Sequence, residues 1–255
     1  MKRTVIVILM ALFMSCTGTG PKIVGHRGCR FDGPYENTLA SMRFAQRAGV
    51  DAIEFDVQLT SDDSVIVFHG PIVPGLDKDI RTIMFTEARS TVLPGGHQMP
   101  TLKEWFSEAE KCPDIDLIME IKKQLSDERT LLLARKALSE ATQAGVKPAY
   151  TSFSTIALDE IHRLDPSAKL IFLQSGTPVN SAAWAKERGY DGISYNLDGF
   201  MNNPGVIDEA KSLGIETTLW LVNDYEVAAW ARKHGIDYIS SDHPEMHTAR
   251  RKSKQ

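Results

Sequence analysis

The sequence lacks the compositional biases that mark disordered or disulfide-rich proteins. Its 255 residues include only 3 cysteines, and charged residues make up 24%. Nothing in this composition suggests disorder, so one large α/β domain with a substantial core is expected. The net charge of −4 becomes −6 when the two charges of Lys2 and Arg3 are removed. The chain therefore has no general attraction for nucleic acid or anionic lipid, and a small anionic substrate would have to be held locally.

Long apolar runs are confined to the start of the chain. Lys2 and Arg3 precede an unbroken apolar segment at 5–14, which is too short to span a bilayer permanently and is typical of a secretory leader. Cys16 follows a small residue and resembles the lipidation point of bacterial lipoproteins. A plain cleaved signal peptide is the alternative. The sequence thus predicts an exported, periplasmic protein anchored in the membrane through Cys16, with residues 1–20 as leader and linker.

The stretch from 53 to 69 carries the most chemical information. Between residues 52 and 60, apolar residues alternate with polar ones, and this period of two indicates a strand. Glu54 and Asp56 then point the same way. The sequence Ser-Asp-Asp-Ser at 61–64 is typical of a turn, and a second β-branched run follows at 65–68. A two-stranded ribbon is therefore predicted.

This ribbon collects ionisable side chains. If its tip lies between Asp62 and Asp63, Asp56 faces His69 across the ribbon. Carboxylates held close together repel one another and lose hydration, and a divalent cation would compensate for both costs. The alternative is that Glu54 and Asp56 form the solvent-facing side of an antiparallel sheet, with His69 at a strand end. This stretch alone does not separate the two interpretations.

Strand and helix patterns alternate along the rest of the chain. A polar passage rich in proline and glycine, at 70–100, interrupts them with one or two helical turns at most, and Thr101 then begins a helix as its N-cap. The predicted strands are 22–28, 52–60, 65–68, 116–122, 149–153, 169–173, 192–195, 216–222 and 238–241, and the predicted helices are 38–49, 102–111, 127–144, 156–164, 181–188, 204–213 and 225–234.

Nine strands are one too many for an eight-stranded parallel barrel. A short turn can join only antiparallel strands, because a parallel return needs a crossover of a dozen or more residues. The strand at 65–68 is therefore an excursion, and the other eight predict an α/β protein with a (β/α)8 TIM barrel and a small hairpin and loop insertion after its second strand. We expect a single domain at 21–248, with the insertion at about 61–100, and a basic tail at 249–255.

Polar residues fall repeatedly at the carboxyl ends of the predicted strands, where barrels carry their reactive groups. Each has an ordinary explanation alone, such as a solvated ion pair. Their shared position at one end of the barrel makes coincidence less convincing. They are His26, Arg27, Glu54, Asp56, Glu120, Lys122, Ser152, Trp220, Asn223, Ser241 and Asp242.

Several short motifs follow one another between about Ile23 and Pro244. They are Gly25-His26-Arg27-Gly28, Glu36-Asn37-Thr38, Ile53-Glu54-Phe55-Asp56-Val57, His69, Glu120-Ile121-Lys122, Ser152-Phe153 and Trp220. Each is weak alone, but in this order they resemble the glycerophosphodiester phosphodiesterase family. The resemblance implies a TIM barrel whose insertion follows the second strand.

The resemblance also implies roles for individual residues. A divalent metal, Ca²⁺ or Mg²⁺, would be bound by carboxylates, and ligation by oxygen alone fits such a hard cation rather than zinc. The implied metal ligands are Glu54, Asp56 and Glu120, the implied general acid and base are His26 and His69, and the implied substrate-binding residues are Arg27 and Lys122 for the phosphate and Trp220 for the alcohol.

The implied reaction is metal-dependent hydrolysis of a glycerophosphodiester to glycerol 3-phosphate and an alcohol. The chemistry requires such groups independently, because negative charge grows on the phosphoryl oxygens in the transition state, where a metal, Arg and Lys would act. One imidazole would take the proton of the attacking hydroxyl, which could be the 2-hydroxyl of the glycerol itself. The other would protonate the leaving alkoxide.

The chain departs from the pattern of the family in two places. Gly70 follows His69, where the family usually has Asp, so substrate preference or rate is expected to differ. The loop from Gly28 to Glu36 also has an unusual spacing. The segment 36–38 could therefore equally pack against or cap the first barrel helix.

Two other functions compete with this one. The first is a lipid-directed phosphodiesterase of the phospholipase D or phosphatidylinositol-cleaving kind, although the chain lacks a long apolar loop rich in aromatic residues for membrane insertion. The second is a lipoprotein that binds phosphodiesters without cleaving them, with Gly70 as its mark of lost activity. Retention of both histidines, the three carboxylates and Lys122 argues against that second reading.

Overall fold

The computed structural model describes residues 20–29 and 35–252. The predicted leader and linker, 1–20, lie outside the described residues except for Gly20, so Cys16 is not described, and the last residues of the predicted tail, at 253–255, also lie outside them. The described strands are β1 (Lys22–Gly25), β2 (Ala52–Leu59), β3 (Val65–Val67), β4 (Ile72–Val73), β5 (Lys78–Asp79), β6 (Asp116–Ile121), β7 (Ala149–Ser152), β8 (Leu170–Gln174), β9 (Gly192–Asn196), β10 (Glu216–Trp220) and β11 (Tyr238–Ser241).

The main sheet is a closed parallel barrel. Its strands follow the order β1-β11-β10-β9-β8-β7-β6-β2, and pairing of β1 with β2 closes the ring of eight. The ninth strand of the sheet, β3, runs antiparallel to β2 and stands outside the ring. The prediction of a (β/α)8 TIM barrel is confirmed, and so is the interpretation of the extra strand as an excursion.

Strand β2 is buried at all eight of its positions. Its apolar side chains face the surrounding helices, where the ring of Phe55 packs 4.8 Å from that of Trp105. Its polar side chains therefore face the interior of the barrel, because successive residues of a strand point to opposite faces. The alternative of a solvent-facing antiparallel sheet is wrong for this strand, since β1 and β6 flank it on both sides in parallel.

The hairpin formed by β2 and β3 has a different register from the predicted one. Val57 pairs with Val67 and Leu59 with Val65, so Phe68, and not His69, lies opposite Asp56. The reason is the turn, in which Thr60 N–H donates to Ser64 O across a three-residue loop instead of a two-residue one. Its last residue, Asp63, has a φ of 61°, which completes such three-residue turns. His69 thus lies one residue beyond the predicted partner.

Helices follow the barrel strands and pack around the ring. The predicted N-cap Thr101 accepts a hydrogen bond from the backbone N–H of Glu104, and Thr38 caps the first helix in the same way. No described helix is long and apolar enough to cross a membrane. The helices are α1 (Leu39–Ala48), α2 (Phe85–Ser90), α3 (Leu102–Ala109), α4 (Asp127–Gln143), α5 (Thr155–Leu164), α6 (Ala182–Glu187), α7 (Leu197–Met201), α8 (Gly205–Leu213), α9 (Tyr225–His234) and α10 (Pro244–Lys252).

Two helices and one small ribbon were not predicted. Helix α10 contains the first residues of the predicted basic tail, and its start carries a signal that the sequence analysis overlooked: Pro244 at the first helical position followed by Glu245. The second is the short α7. The insertion contains the ribbon β4–β5 and a single 3₁₀ turn, Ile80–Thr82, over a small apolar cluster of its own. The barrel core and this satellite cluster are separate.

Buried glutamates link neighbouring helices around the barrel. Their ionisation is expected to make the stability of the fold depend on pH. Glu160 on α5 accepts hydrogen bonds from Arg163 and from Arg135 on α4, and these bonds lower its pKa from the usual 4.5 to about 2. A depressed pKa contributes stability above pH 4.5 that is lost as pH falls towards 2. We expect Glu160→Gln to lower Tm by about 2–4 °C at pH 7, and the difference from wild type to shrink between pH 4.5 and 2.

Glu226→Gln, an exposed glutamate on α9, is the control for this measurement. Its Tm should differ from that of the wild type at pH 7 by less than that of Glu160→Gln, because Glu226 contributes only an exposed charge in the first turn of α9. A Tm difference for Glu160→Gln that stays constant down to pH 2 would contradict the assignment of this linkage to the Glu160 carboxylate.

Candidate active site

Three carboxylates meet inside the barrel at the carboxyl ends of two neighbouring strands. Glu54 and Asp56 come from β2, and Glu120 lies beside Asp56 because β6 pairs with β2 in that register. One oxygen from each carboxylate lies within 4.8 Å of the other two. The residues are 8%, 0% and 8% exposed, respectively. The structure thus brings together the three residues that the resemblance implied as metal ligands.

These carboxylates have the properties of a cation site. Glu54 Oε1 and Asp56 Oδ1 are buried without a hydrogen-bond donor in the described part of the chain. Burial, and then the charge of Asp56, raises the pKa of Glu54 well above its usual 4.5 and that of Glu120 to about 7. A hard divalent cation takes oxygen ligands and would offset this cost. The three residues fit a divalent metal.

Two cationic side chains border the same cluster. Lys122 Nζ lies 2.8 Å from Glu120 Oε1 and 3.4 Å from Asp56 Oδ1, and Arg27 Nε lies 3.5 Å from Asp56 Oδ2. Burial would raise the pKa of Asp56, but Lys122 and Arg27 outweigh it and hold that pKa below its usual value. Asp56 is therefore the carboxylate that stays ionised, and the two cations face the space where an anion could bind.

Asn37 holds Asp56 in place. Its Nδ2 donates to Asp56 Oδ2 at 2.7 Å, and its Oδ1 accepts from the backbone N–H of Asp56 at 3.0 Å. The neighbouring Glu36 accepts from Arg27 Nη1 with both carboxylate oxygens at 3.0 Å. Thr38 caps α1. The segment 36–38 thus combines the expected capping role with a positioning role for Asn37 that the sequence analysis missed.

His26 is oriented by residues at the end of the neighbouring strand. Its Nδ1 lies 2.7 Å from Asp242 Oδ1, and its Nε2 lies 4.0 Å from Glu54 Oε2. Asn223 Nδ2 donates to the second oxygen of Asp242 at 2.8 Å. Asp242 and Asn223 were predicted at this end of the barrel, but no motif of the sequence indicates this role.

His69 is fixed through its backbone. Gln58 Nε2 donates to His69 O at 2.6 Å and to Phe68 O at 3.3 Å. Burial, and the positive charges of Lys122 and Arg27, outweigh the opposing effect of Asp56 and lower the pKa of His69 to about 4. The imidazole is therefore neutral near pH 7 and able to accept a proton. Gln58 faces the interior of the barrel like Glu54 and Asp56, because it continues their alternation along β2. This alternation could have identified Gln58 as a site residue from the sequence.

A cavity of about 180 Å³ connects these groups. Of the eight predicted site residues, all but the fully buried Asp56 line it. At its mouth, the ring of Trp220 packs edge-on against that of Phe153 at 5.9 Å, and the indole N–H donates to Ser194 O. Phe153 is 46% exposed. The cavity therefore joins a charged end, where an anion could be held, to an aromatic wall.

Gly70 occupies a position where a side chain would crowd its neighbours. Its φ is 46°, and a Cβ there would lie 2.8 Å from Gln58 Nε2 and from a ring carbon of Phe68. The Asp that the resemblance implies at this position could be accommodated only if the side chains of Gln58 and Phe68 shifted. We expect Gly70→Ala to destabilise the fold by about 2 kcal/mol or more, from backbone strain and overpacking, and to lower kcat by displacing His69.

Gly75→Ala separates these two causes. Gly75 has a φ of 83°, but a Cβ there meets nothing within 4 Å, so only the backbone strain applies. Its unfolding free energy should fall by about 1–2 kcal/mol with kcat unchanged. Equal losses of stability and unchanged kcat in both variants would show that contact with Gln58 and Phe68 does not constrain Gly70.

A parallel (β/α)8 barrel whose strand ends gather carboxylates, imidazoles and cations in one cavity has the architecture of a barrel enzyme. The chain belongs to the glycerophosphoryl diester phosphodiesterase family, whose model matches residues 26–246. The resemblance drawn from the motifs is thereby confirmed.

Individual relatives agree with this assignment. A glycerophosphodiester phosphodiesterase of Caldanaerobacter subterraneus subsp. tengcongensis is 28% identical over 88% of this chain and 94% of its own. The crystal structure of a glycerophosphodiester phosphodiesterase from Parabacteroides distasonis is also 28% identical and superposes with a TM-score of 0.85, covering 92% of this chain and 99% of the other. An Oleispira antarctica phosphodiesterase, solved in complex with sn-glycerol-3-phosphate, shares the fold with a TM-score of 0.78 at 20% identity, over 89% and 94% of the two chains.

Proposed function

We propose that this protein hydrolyses glycerophosphodiesters to glycerol 3-phosphate and an alcohol, with the help of a divalent metal. The observation that carries the proposal is the convergence of three buried carboxylates, two imidazoles and two cations around one cavity. Membership of the phosphodiesterase family supports the same reaction.

The metal would be held by Glu54, Asp56 and Glu120. Their oxygens suit Ca²⁺ or Mg²⁺, and two of them are buried without a donor in the described chain. When bound, such an ion neutralises charge that develops on phosphoryl oxygens. Arg27 and Lys122 act on the same charge from the protein side, because both line the cavity beside the carboxylates.

The two histidines move the protons. The glycerol 2-hydroxyl oxygen forms a bond to phosphorus and gives its proton to one imidazole, while the bond from phosphorus to the alcohol oxygen breaks and that oxygen takes a proton from the other imidazole. Water then opens the cyclic phosphate with the roles of His26 and His69 exchanged, which returns both rings to their first state. The products are glycerol 3-phosphate and the free alcohol.

The aromatic wall would receive the alcohol. Trp220 and Phe153 stand at the open end of the cavity, and Phe153 is partly exposed to solvent. Their faces and edges suit an organic alcohol without selecting one by hydrogen bonds. Specificity for the glycerophosphate half is therefore expected to exceed specificity for the alcohol half.

Anchoring through Cys16 would direct this site away from lipid. Gly20 lies against Arg232, at the end of the barrel where β1 and β11 begin. Cys16 precedes it by four positions in the chain, a reach of at most about 14 Å, whereas the cavity lies at the opposite end of the strands. An anchored protein of this kind suits diesters in solution rather than bilayer lipids.

Cys16→Ser should move the protein from the membrane fraction to the soluble fraction without loss of activity, and unchanged fractionation would contradict the anchor.

Detection of released glycerol 3-phosphate tests the proposed function. Purified protein should release it from water-soluble glycerophosphodiesters, and His26→Ala protein prepared in parallel should release it at least about a hundred-fold more slowly. Turnover confined to phospholipid vesicles would favour the lipid-directed phosphodiesterase instead. Tight binding of a soluble diester without any product would favour the non-catalytic lipoprotein.

A further inference from the structure

We propose that Asp242, oriented by Asn223, is a positioning residue for His26 that fixes the ring proton on Nδ1 and leaves Nε2 to exchange protons with the substrate. This inference rests on the proposed function, because it assigns a role within the same reaction. It concerns two residues that neither bind phosphate nor contribute to the carboxylate cluster.

Neighbouring strand ends bring the two side chains together. β1 and β11 pair in the register Gly25↔Ser241, so the residues that follow, His26 and Asp242, leave the barrel side by side. The contact from Nδ1 to Oδ1 is 2.7 Å, and Asp242 is 2% exposed. A carboxylate can only accept hydrogen bonds. The imidazole must therefore carry its proton on Nδ1 while this contact lasts.

The other ring nitrogen is then the reactive one. Nε2 of His26 faces the cavity and lies 4.0 Å from Glu54 Oε2, at the edge of the carboxylate cluster. A neutral ring protonated on Nδ1 has its lone pair on Nε2, where it can take a proton from a hydroxyl. The imidazolium that results is stabilised by the carboxylate behind it, as in a Ser-His-Asp triad.

Asn223 fixes the rotation of the carboxylate. Its Nδ2 donates to Asp242 Oδ2 at 2.8 Å, and its Oδ1 accepts from the backbone N–H of Asp242 at 2.9 Å and from Ser241 Oγ at 3.2 Å. In Asp242→Asn the side-chain oxygen would remain with the Asn223 donor, so the new amide N–H would point at Nδ1. That donor would force the ring proton onto Nε2, the wrong tautomer for accepting a proton there.

The expected effect of Asp242→Asn is therefore on the chemical step. kcat should fall by about a hundred-fold or more, with KM within about threefold of wild type. Asp237→Asn is the matched control, since it makes the same change just before the opposite end of β11, where Asp237 accepts from Thr217. It should leave kcat unchanged. Asn223→Ala keeps the Asp242 carboxylate but frees its rotation, and it should lower kcat by about tenfold. This variant tests the inference if Asp242→Asn does not fold.

A double-mutant cycle with His26→Ala separates positioning from general structure. In the His26→Ala background, Asp242→Asn should add almost nothing to the loss, because its effect passes through the missing ring. If the kcat of the double variant falls by the product of the two single fold-losses, or if Asp242→Asn alone keeps the kcat of the wild type, the inference is overturned. The proposed function stays intact in either case.

Nitrogen-15 NMR of the His26 ring tests the inference without turnover. The neutral ring should carry its proton on Nδ1 in the wild type and on Nε2 in Asp242→Asn. An Nε2-protonated ring in the wild type overturns the inference, whereas absence of turnover on every diester would defeat the proposed function alone.

Discussion

Asp56→Asn is expected to abolish turnover and to destabilise the protein more than any other single change at the site. Asp56 is the fully buried partner of both Arg27 and Lys122, and its neutralisation leaves two cations with one anion fewer between them. Breaking a buried ion pair in this way costs about 3–5 kcal/mol. The same change removes one of the three oxygens that would hold the metal. We expect kcat/KM to fall by about 10³-fold or more, as when one member of an interdependent set is lost.

The comparison with a surface aspartate makes this prediction specific. Asp63 in the hairpin turn pairs with Arg129 at 2.7 Å, but its side chain is 45% exposed. Asp63→Asn should cost no more than about 1 kcal/mol and leave activity unchanged. Chemical denaturation and calorimetric titration of Ca²⁺ or Mg²⁺ measure both variants. Unaltered metal binding in Asp56→Asn would remove Asp56 from the ligand set.

The other carboxylates should behave as parts of the same unit. Glu54→Gln and Glu120→Gln are each expected to weaken metal binding, and double variants should be little worse than the worst single one. Independent, fully additive losses would indicate that the three residues do not share one ion.

His69→Ala is expected to lower kcat by about a hundred-fold or more while leaving the fold intact. The ring lines the cavity, and its low pKa keeps it neutral and able to accept a proton. The bonds that fix this segment come from Gln58 to backbone carbonyls, so they survive the loss of the ring. Steady-state kinetics and thermal unfolding measure the two properties separately.

His234→Ala provides the control for the loss of an imidazole. This histidine stacks on Trp230 at the end of α9, away from the cavity. It should change kcat by less than about twofold, because no step of the proposed reaction involves it. A similar, small effect of His69→Ala would show that His69 has no part in proton transfer.

The barrel and the carboxylate cluster could be predicted because their signals are local. The period of two in β2 places Glu54 and Asp56 on one face whatever the rest of the chain does. The short turn after it excludes a parallel partner, and that exclusion reduces nine strands to eight. The carboxyl ends of parallel strands all lie at the same end of a barrel. Glu120 could therefore be placed near Asp56 before any distance was known.

The remaining features depend on geometry that sequence patterns do not carry. The hairpin register shifted because Asp63 adopts a left-handed conformation, which turns a two-residue loop into a three-residue one. His26 and Asp242 are 216 residues apart, and only the closure of the ring brings them within 2.7 Å. The constraint on Gly70 likewise comes from side chains packed against it. Long-range contacts of this kind decide orientation, whereas local patterns decide only which residues share an end of the barrel.

Removal and return of the metal tests the central proposal most directly. Protein treated with a chelator, and shown by elemental analysis to be free of metal, should release no glycerol 3-phosphate from a soluble glycerophosphodiester, because no ion held by Glu54, Asp56 and Glu120 would then neutralise the charge that develops on the phosphoryl oxygens. Addition of Ca²⁺ or Mg²⁺ should restore release in wild type and not in Asp56→Asn. Full release by metal-free wild-type protein would contradict a metal-dependent phosphodiesterase at this site.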